Sequence, residues 1–156
     1  MRMTRCRVLA VALAAAPVPA PAPAPASAAA AKPPPGPHWV MVGRHVDGSP
    51  VEVDTRSITA WGDLTRGWWR LTLAQPRPDG TAIEKHLDAI DCARGVSTAL
   101  ETVTLRPDGS MIGDARETPS TAITRLGPAT PGTTGEMAGA AICRLRPPPP
   151  KPRHHR

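Results

Sequence analysis

Serine, cysteine and histidine are the side chains through which this 156-residue chain could carry out catalysis. A serine or cysteine nucleophile needs a histidine as its base and an acid that orients this histidine. Ser57, Ser97 and Ser110 are present, but the sequence contains no nucleophile elbow, P-loop, His-Glu-x-x-His or Cys-x-x-Cys motif. We therefore expect no enzyme, no catalytic residue and no bound cofactor.

The histidines and aspartates show no spacing typical of a metal site. The five histidines are His38, His45, His86, His154 and His155. The pair His154–His155 lacks the further ligands of a specific site, so only adventitious metal binding is expected there. His86, between Lys85 and Leu87 on a predicted strand, can simply face solvent, and His45 has no obvious partner. The aspartates lack calcium-loop spacing and are interpreted as turn formers and solvated strand faces: Asp54, Asp63, Asp88, Asp91, Asp108 and Asp114.

Three tryptophans, Trp61, Trp68 and Trp69, could form an aromatic platform for a carbohydrate or a protein. Adjacent residues on a strand point to opposite faces, so Trp68 and Trp69 cannot both lie in the core. Trp69 shares a face with Leu71 and Leu73 and is expected to be buried. For Trp68 we favour partial cover by a C-terminal helix, because a helix must pack on some face. The alternative is an outward surface, which makes Trp68 the candidate ligand-binding residue.

The first 28 residues have the three parts of a secretory signal peptide. MRMTRCR is positively charged, Val8 to Ala16 is uninterruptedly apolar, and Ala26-Ser27-Ala28 offers small residues for cleavage. The apolar run is much shorter than the roughly 20 residues that span a bilayer, so no transmembrane helix is expected after cleavage. We therefore predict an exported protein that is periplasmic, secreted or associated with the cell surface.

Removal of residues 1–28 takes Cys6 away and leaves two cysteines, Cys92 and Cys143. An even number of cysteines in an oxidising compartment favours a structural disulfide, with a redox pair or a metal site as the alternative. In the loop-entropy model such a bond stabilises the fold by about 4 kcal/mol.

Proline-rich segments flank a single domain. We assign residues 29–37 to a Pro/Ala-rich linker, 38–146 to the folded domain and 147–156 to a disordered basic tail. The chain has a formal net charge of +6, but residues 37–143 hold ten basic and thirteen acidic side chains, a net charge of −3. A nucleic-acid-binding protein carries its basic stripe on the folded body, so no nucleic-acid partner is expected.

Regular turn signals divide the domain into strands. Asp47-Gly48, Asp79-Gly80 and Asp108-Gly109 suit tight turns, and Gly62-Asp63 marks a further break. Val51 and Val53 alternate with polar residues, as Trp69, Leu71 and Leu73 do, so these apolar positions should face the core. The predicted strands are 39–46, 50–54, 67–75, 81–91, 97–106 and 110–115. Six consecutive strands separated by such turn signals indicate a six-stranded antiparallel meander.

One short helix is predicted after the strands, which makes the fold class α+β. A threonine of Thr133-Thr134-Gly135-Glu136 can accept from the Glu136 amide while the carboxylate reaches back, as in a capping box. Met137 to Cys143 follows with good helix propensity, apart from Gly139. We expect Gly139 to allow close approach to the sheet. Cys143 would pin this thin helix to the strand end at Cys92.

An ordered set of short motifs, none of which is specific alone, spans most of the domain: Trp39 to Val42, Asp47-Gly48, Val51 to Asp54, Ser57-Ile58, Trp68-Trp69-Arg70, Asp91-Cys92, Pro131 to Glu136 and Cys143. Through this ordered set the chain resembles the surface-adhesin protein E family of exported bacterial proteins. The resemblance implies an antiparallel sheet and a C-terminal helix whose cysteine bonds to the one after the fourth strand. It also implies an exported, non-enzymatic binding module for an extracellular protein or glycan. The alternative is a periplasmic or envelope accessory or structural protein.

Overall fold

The computed structural model describes residues 35–148. The predicted signal peptide 1–28, most of the linker 29–37, and the tail from residue 149 on, including His154 and His155, lie outside the described residues. The described part contains eight strands and two helices: β1 Trp39–Arg44, β2 Pro50–Asp54, β3 Thr59–Trp61, β4 Leu64–Thr72, β5 Ile83–Asp91, β6 Val96–Leu105, β7 Met111–Arg116, α1 Pro119–Thr124, β8 Gly127–Pro128 and α2 Thr134–Leu145.

The strands form one antiparallel sheet that follows the chain. Its order is β1-β2-β4-β5-β6-β7, while β3 pairs with β4 and β8 pairs with β6. The six long strands and the C-terminal helix confirm the predicted meander and the α+β class. The short elements β3, α1 and β8 were not predicted from the sequence.

The three predicted Asp-Gly turns lie in the connections between paired strands: β1 and β2, β4 and β5, and β6 and β7. In each turn the aspartate accepts a hydrogen bond from the backbone N–H two residues later, at Ser49, Thr81 and Ser110. The following glycines have positive φ, between 82° and 88°, which residues with a Cβ adopt only under strain. These hydrogen bonds hold the pKa of each aspartate below its usual value, to about 2 for Asp47.

The core lies between one face of the sheet and α2. Val51, Val53, Trp69, Leu71 and Ile90 supply the sheet side and are all at most 6% exposed. The helix contributes three side chains that are fully buried: Ala138, Ala141 and Ile142. We call this side of the sheet the helix face. It confirms the predicted inward alternation of β2 and β4.

The start of α2 is fixed by hydrogen bonds close to those predicted. Thr133 is the N-cap, and its hydroxyl accepts from the Glu136 N–H at 3.3 Å. The Glu136 carboxylate reaches one residue further back than a capping box does and accepts from the Gly132 N–H at 2.7 Å. The Glu136 N–H, which has no partner inside the helix, and the Gly132 N–H just before the helix are thereby satisfied.

The disulfide Cys92–Cys143 is present, as predicted. It joins the residue after β5 to the last turn of α2, across 51 positions of sequence. An isolated helix of twelve residues is marginal in water, so α2 depends on its contacts with the sheet. The bond restricts the unfolded chain and keeps those contacting surfaces near one another.

The glycines that allow close approach lie on the sheet, so the expectation for Gly139 was wrong. A Cβ on Gly139 would lie 3.9 Å from the Ile90 Cδ1, an ordinary van der Waals contact. On Gly67 of β4 a Cβ would lie 3.3 Å from the Ile142 Cδ1, and on Gly43 of β1 it would overlap the Met137 sulfur. The helix therefore sits against bare backbone of β1 and β4.

Replacing both bonded cysteines, Cys92→Ser with Cys143→Ser, should lower the free energy of unfolding by about 4 kcal/mol, because the unfolded chain gains the entropy of an open loop. Urea unfolding of the oxidised chain and of the double variant measures the difference. A loss below about 1 kcal/mol would contradict this role for the bond.

Alanine substitutions should separate the glycines that the packing requires from those it does not. Gly139→Ala should stabilise the protein by up to about 1 kcal/mol, since alanine favours the helix and its Cβ has room. Gly67→Ala should destabilise it by about 1–3 kcal/mol, since Ile142 is fully packed.

Gly113→Ala is the matched control, a strand glycine whose Cβ would lie 3.7 Å from the Thr104 Oγ1. Thermal or urea unfolding of the three variants should give a near-neutral change for this one. Equal effects of Gly67→Ala and Gly113→Ala would contradict the account of close packing at β4.

Candidate binding surface

Trp68 lies on the face of the sheet opposite α2. Trp69, its neighbour, is 5% exposed and packs on the helix face with Leu71 and Ile142. The favoured expectation that the helix covers Trp68 was therefore wrong. The helix packs on the apolar face of β2 and β4. That face carries Val51, Val53, Trp69 and Leu71 and lies on the side of the sheet away from Trp68.

Strand register gathers charged side chains around Trp68. Glu52 of β2 is paired with Arg70 of β4, and Arg70 is paired in turn with Lys85 of β5. Trp68 stands two residues before Arg70 and therefore on the same face. We call this side of the sheet the outer face. Met41, paired with Glu52 on this face, is 55% exposed, so this part of the surface is open to solvent.

Two indoles and two cations interact on the outer face. The guanidinium carbon of Arg70 lies 4.5 Å from the ring centroid of Trp39. Lys85 Nζ lies 5.7 Å from the Trp39 centroid and 5.1 Å from the Trp68 centroid. All three distances are within the range in which a cation is attracted to the face of an aromatic ring. Trp39, Trp68, Arg70 and Lys85 form what we call the Trp–Lys ladder.

The two cations of the ladder differ in their counter-ions. Arg70 Nε donates to Glu52 Oε2 at 2.7 Å, so its charge is balanced. Among the ion pairs of residues 35–148, Lys85 has no carboxylate partner. The ladder therefore presents one positive charge that its aromatic neighbours attract but do not neutralise.

A second polar cluster lies on the helix face and contains two side chains that the sequence patterns predicted to be solvated. His86 stacks on Trp69 with ring centroids 4.2 Å apart and an interplanar angle of 14°. The Trp69 Nε1–H donates to Asp88 Oδ2 at 2.7 Å, and Asp88 is 7% exposed. The expectations of a solvent-facing His86 and of a solvated or turn-forming Asp88 were wrong, because both share the strand face of Ile90.

Burial changes the acid–base properties of both residues. Burial raises the pKa of Asp88 to about 6, although the hydrogen bond from Trp69 acts in the opposite direction. Burial also lowers the pKa of His86, against an opposing effect of the Glu84 carboxylate. A carboxylate with a single strong donor is costly to bury, so Asp88 is protonated more readily than an exposed aspartate.

The other candidate serine and histidine residues contact groups within their own loops and neighbouring strands. Ser57 Oγ donates to the Asp54 carbonyl oxygen at 2.7 Å and accepts from the Trp68 N–H at 2.8 Å. His45 Nδ1 lies 3.0 Å from Asp47 Oδ1, and His38 Nδ1 lies 2.9 Å from Thr55 Oγ1. Within residues 35–148, no three His, Cys, Asp or Glu side chains form a group that could hold a metal ion.

Two shallow grooves flank the β3–β4 hairpin. One, of about 460 Å³, is lined by Trp61 and Leu64 on one side and Ile123 and Leu126 on the other. The second, of about 510 Å³, lies between Ile58 to Thr65 and the residues that follow α2, Arg146 to Pro148. Neither groove could be expected from the sequence, because β3 and α1 were not predicted.

Comparisons with protein-family models, with curated proteins and with solved structures give no match. Neither helix in residues 35–148 has the length and apolar composition needed to cross a membrane. The resemblance to surface-adhesin protein E stays a prediction from the motifs of the sequence.

The buried Asp88 should make stability depend on pH. Its folded pKa of about 6 lies above the ordinary aspartate pKa of 3.8, so the folded state binds the proton more tightly than the unfolded state. This group should therefore lower the free energy of unfolding as pH rises from about 4 to about 6, by roughly 2–3 kcal/mol in total.

Asp88→Asn should remove this contribution while keeping an acceptor for Trp69. Urea unfolding across this pH range, compared with the exposed control Asp63→Asn, measures it. Carboxyl ¹³C titration reports the same group directly, and a midpoint for Asp88 below about 4 would contradict the burial effect.

Proposed function

We propose that this protein is an exported, non-enzymatic binding module, and that its ligand-binding surface is the outer face around the Trp–Lys ladder. One observation carries the proposal: Trp68 lies opposite α2, with Lys85 Nζ 5.1 Å from its ring. Tryptophan and arginine are enriched among residues that dominate binding energy, and the ladder combines both in one place.

The disulfide supports the exported part of the proposal. Disulfides form and persist outside the reducing cytosol, and Cys92–Cys143 joins α2 to the sheet. The signal-peptide pattern of residues 1–28 supports the same compartment. The sequence resemblance to surface-adhesin protein E supports binding of an extracellular protein or glycan.

A sheet face suits recognition because its side chains stand on a rigid frame. Hydrogen-bonded strands β1, β2, β4 and β5 fix the spacing of the ladder, and α2 braces them from behind. Side chains that are already ordered lose little conformational entropy when a ligand binds. The ladder is therefore organised before the ligand arrives.

Substituting Trp68 should separate binding from folding. On an array of purified extracellular proteins and of neutral and acidic glycans, the oxidised chain should bind some spots saturably. Trp68→Ala should weaken that binding by roughly tenfold or more, a loss typical of an interface hot spot.

Trp61→Ala is the control, because Trp61 lines the groove beside α1 rather than the ladder. It should bind like the wild type, and circular dichroism should show that both variants are folded. Absence of saturable binding, or equal binding by Trp68→Ala, would contradict the proposal.

A further inference from the structure

The chemistry of the Trp–Lys ladder points to a class of ligand. We propose that the ladder binds an acidic saccharide, with Lys85 pairing with a uronic-acid carboxylate and the indoles of Trp39 and Trp68 contacting the sugar rings. This inference rests on the proposed function, since it assigns the ligand of the same surface.

The first argument is the placement of two positive charges side by side. Arg70 and Lys85 are directly opposite each other on neighbouring antiparallel strands. Like charges in that position destabilise a sheet. Glu52 compensates Arg70 at 2.7 Å but leaves Lys85 without a carboxylate partner among the described residues. A bound anion would supply the missing counter-charge at the point where repulsion is greatest.

The second argument is the position of the amine. Lys85 is half-buried, and its Nζ lies within 6 Å of both indole centroids, at 5.7 Å and 5.1 Å. Its stem is packed along the sheet while its charged end is held near the rings. The Lys85 ammonium group is therefore held in one position, and an anion can bind it there without first ordering the side chain.

The third argument concerns which anions fit. Indoles offer broad apolar area with an electron-rich face, which suits the C–H groups of a sugar ring more than a compact inorganic ion. A nucleic acid requires many cations along its backbone, whereas residues 37–143 have a net charge of −3. One uncompensated cation between two rings matches one carboxylate carried on a ring.

Calorimetric titration of the oxidised full-length chain tests the ligand class with two matched probes. The first is a hexasaccharide that alternates glucuronate and N-acetylglucosamine, and the second is the same hexasaccharide with its carboxyl groups reduced to alcohols. The acidic probe should bind about tenfold more tightly or better, as expected for a charge-assisted hydrogen bond. Its affinity should fall as salt is raised.

Lys85→Met removes the charge but keeps an apolar stem against the indoles. It should lower affinity for the acidic probe about tenfold and leave affinity for the reduced probe unchanged. Lys85→Arg should retain binding of the acidic probe. Arg144→Met, the charge-matched control on the exposed side of α2, should behave like the wild type.

Several outcomes would overturn the ligand class. These are equal affinity of the wild type for both probes, unchanged binding by Lys85→Met, absence of binding to either probe, and equal binding of an oligoglutamate of the same charge. The proposed function is judged separately: saturable binding on the array that is lost in Trp68→Ala keeps the binding module even when the saccharide is wrong.

Discussion

The packing of α2 on one face of the sheet determines the rest of this structure. The helix follows the apolar positions of β2 and β4, and bare backbone at Gly43 and Gly67 lets it approach closely. Cys92–Cys143 ties its last turn to the strand end after β5. Since the helix occupies the Trp69 side, strand alternation leaves Trp68 and its charged neighbours on the other side. The same contact therefore builds the core and defines the candidate surface.

The two faces of β4 and β5 both carry tryptophan beside polar or charged side chains, but the two faces differ in burial and in contacts. On the helix face, Trp69 is buried, stacks on His86 and donates its indole N–H to Asp88. On the outer face, Trp68 and Trp39 meet cations at the solvent boundary. On the helix face the indole is therefore part of the core, and on the outer face the indoles contact cations. Exposure, rather than residue type, separates the structural tryptophan from the candidate ligand contacts.

Much of the fold could be predicted from local patterns. Asp-Gly turns, alternating strands and the Thr133 cap each depend on residues close in sequence, and all are present. The even cysteine count of the predicted mature chain was enough to expect the bond. The short β3 and β8 depend mainly on pairing with a longer strand, which sequence periodicity does not report. The helix α1 did carry a signal, with Thr118 as N-cap before Pro119, but its six residues contain no clear apolar repeat.

The candidate site was harder to predict because it depends on register between strands. The sequence shows that Trp68 and Trp69 face opposite ways, but not which face the helix takes. Nor does it show that Trp39 of β1 reaches Arg70, two strands away in the sheet, and Lys85, three strands away. Asp88 and His86 were misassigned for the same reason, since their contacts with Trp69 come from strand pairing rather than from neighbours in sequence.

The central claim is that ligand binds at the outer face while the helix face stays closed, and the four indole N–H groups can report it separately. The direct measurement is a ¹⁵N–¹H spectrum of the assigned tryptophan side chains during titration with the acidic hexasaccharide. The account predicts shifts at Trp39 and Trp68, with the Trp69 signal unchanged and slow to exchange with solvent because it is buried against Asp88. Shifts confined to Trp61 or Trp69, or no shift at Trp68, would contradict it.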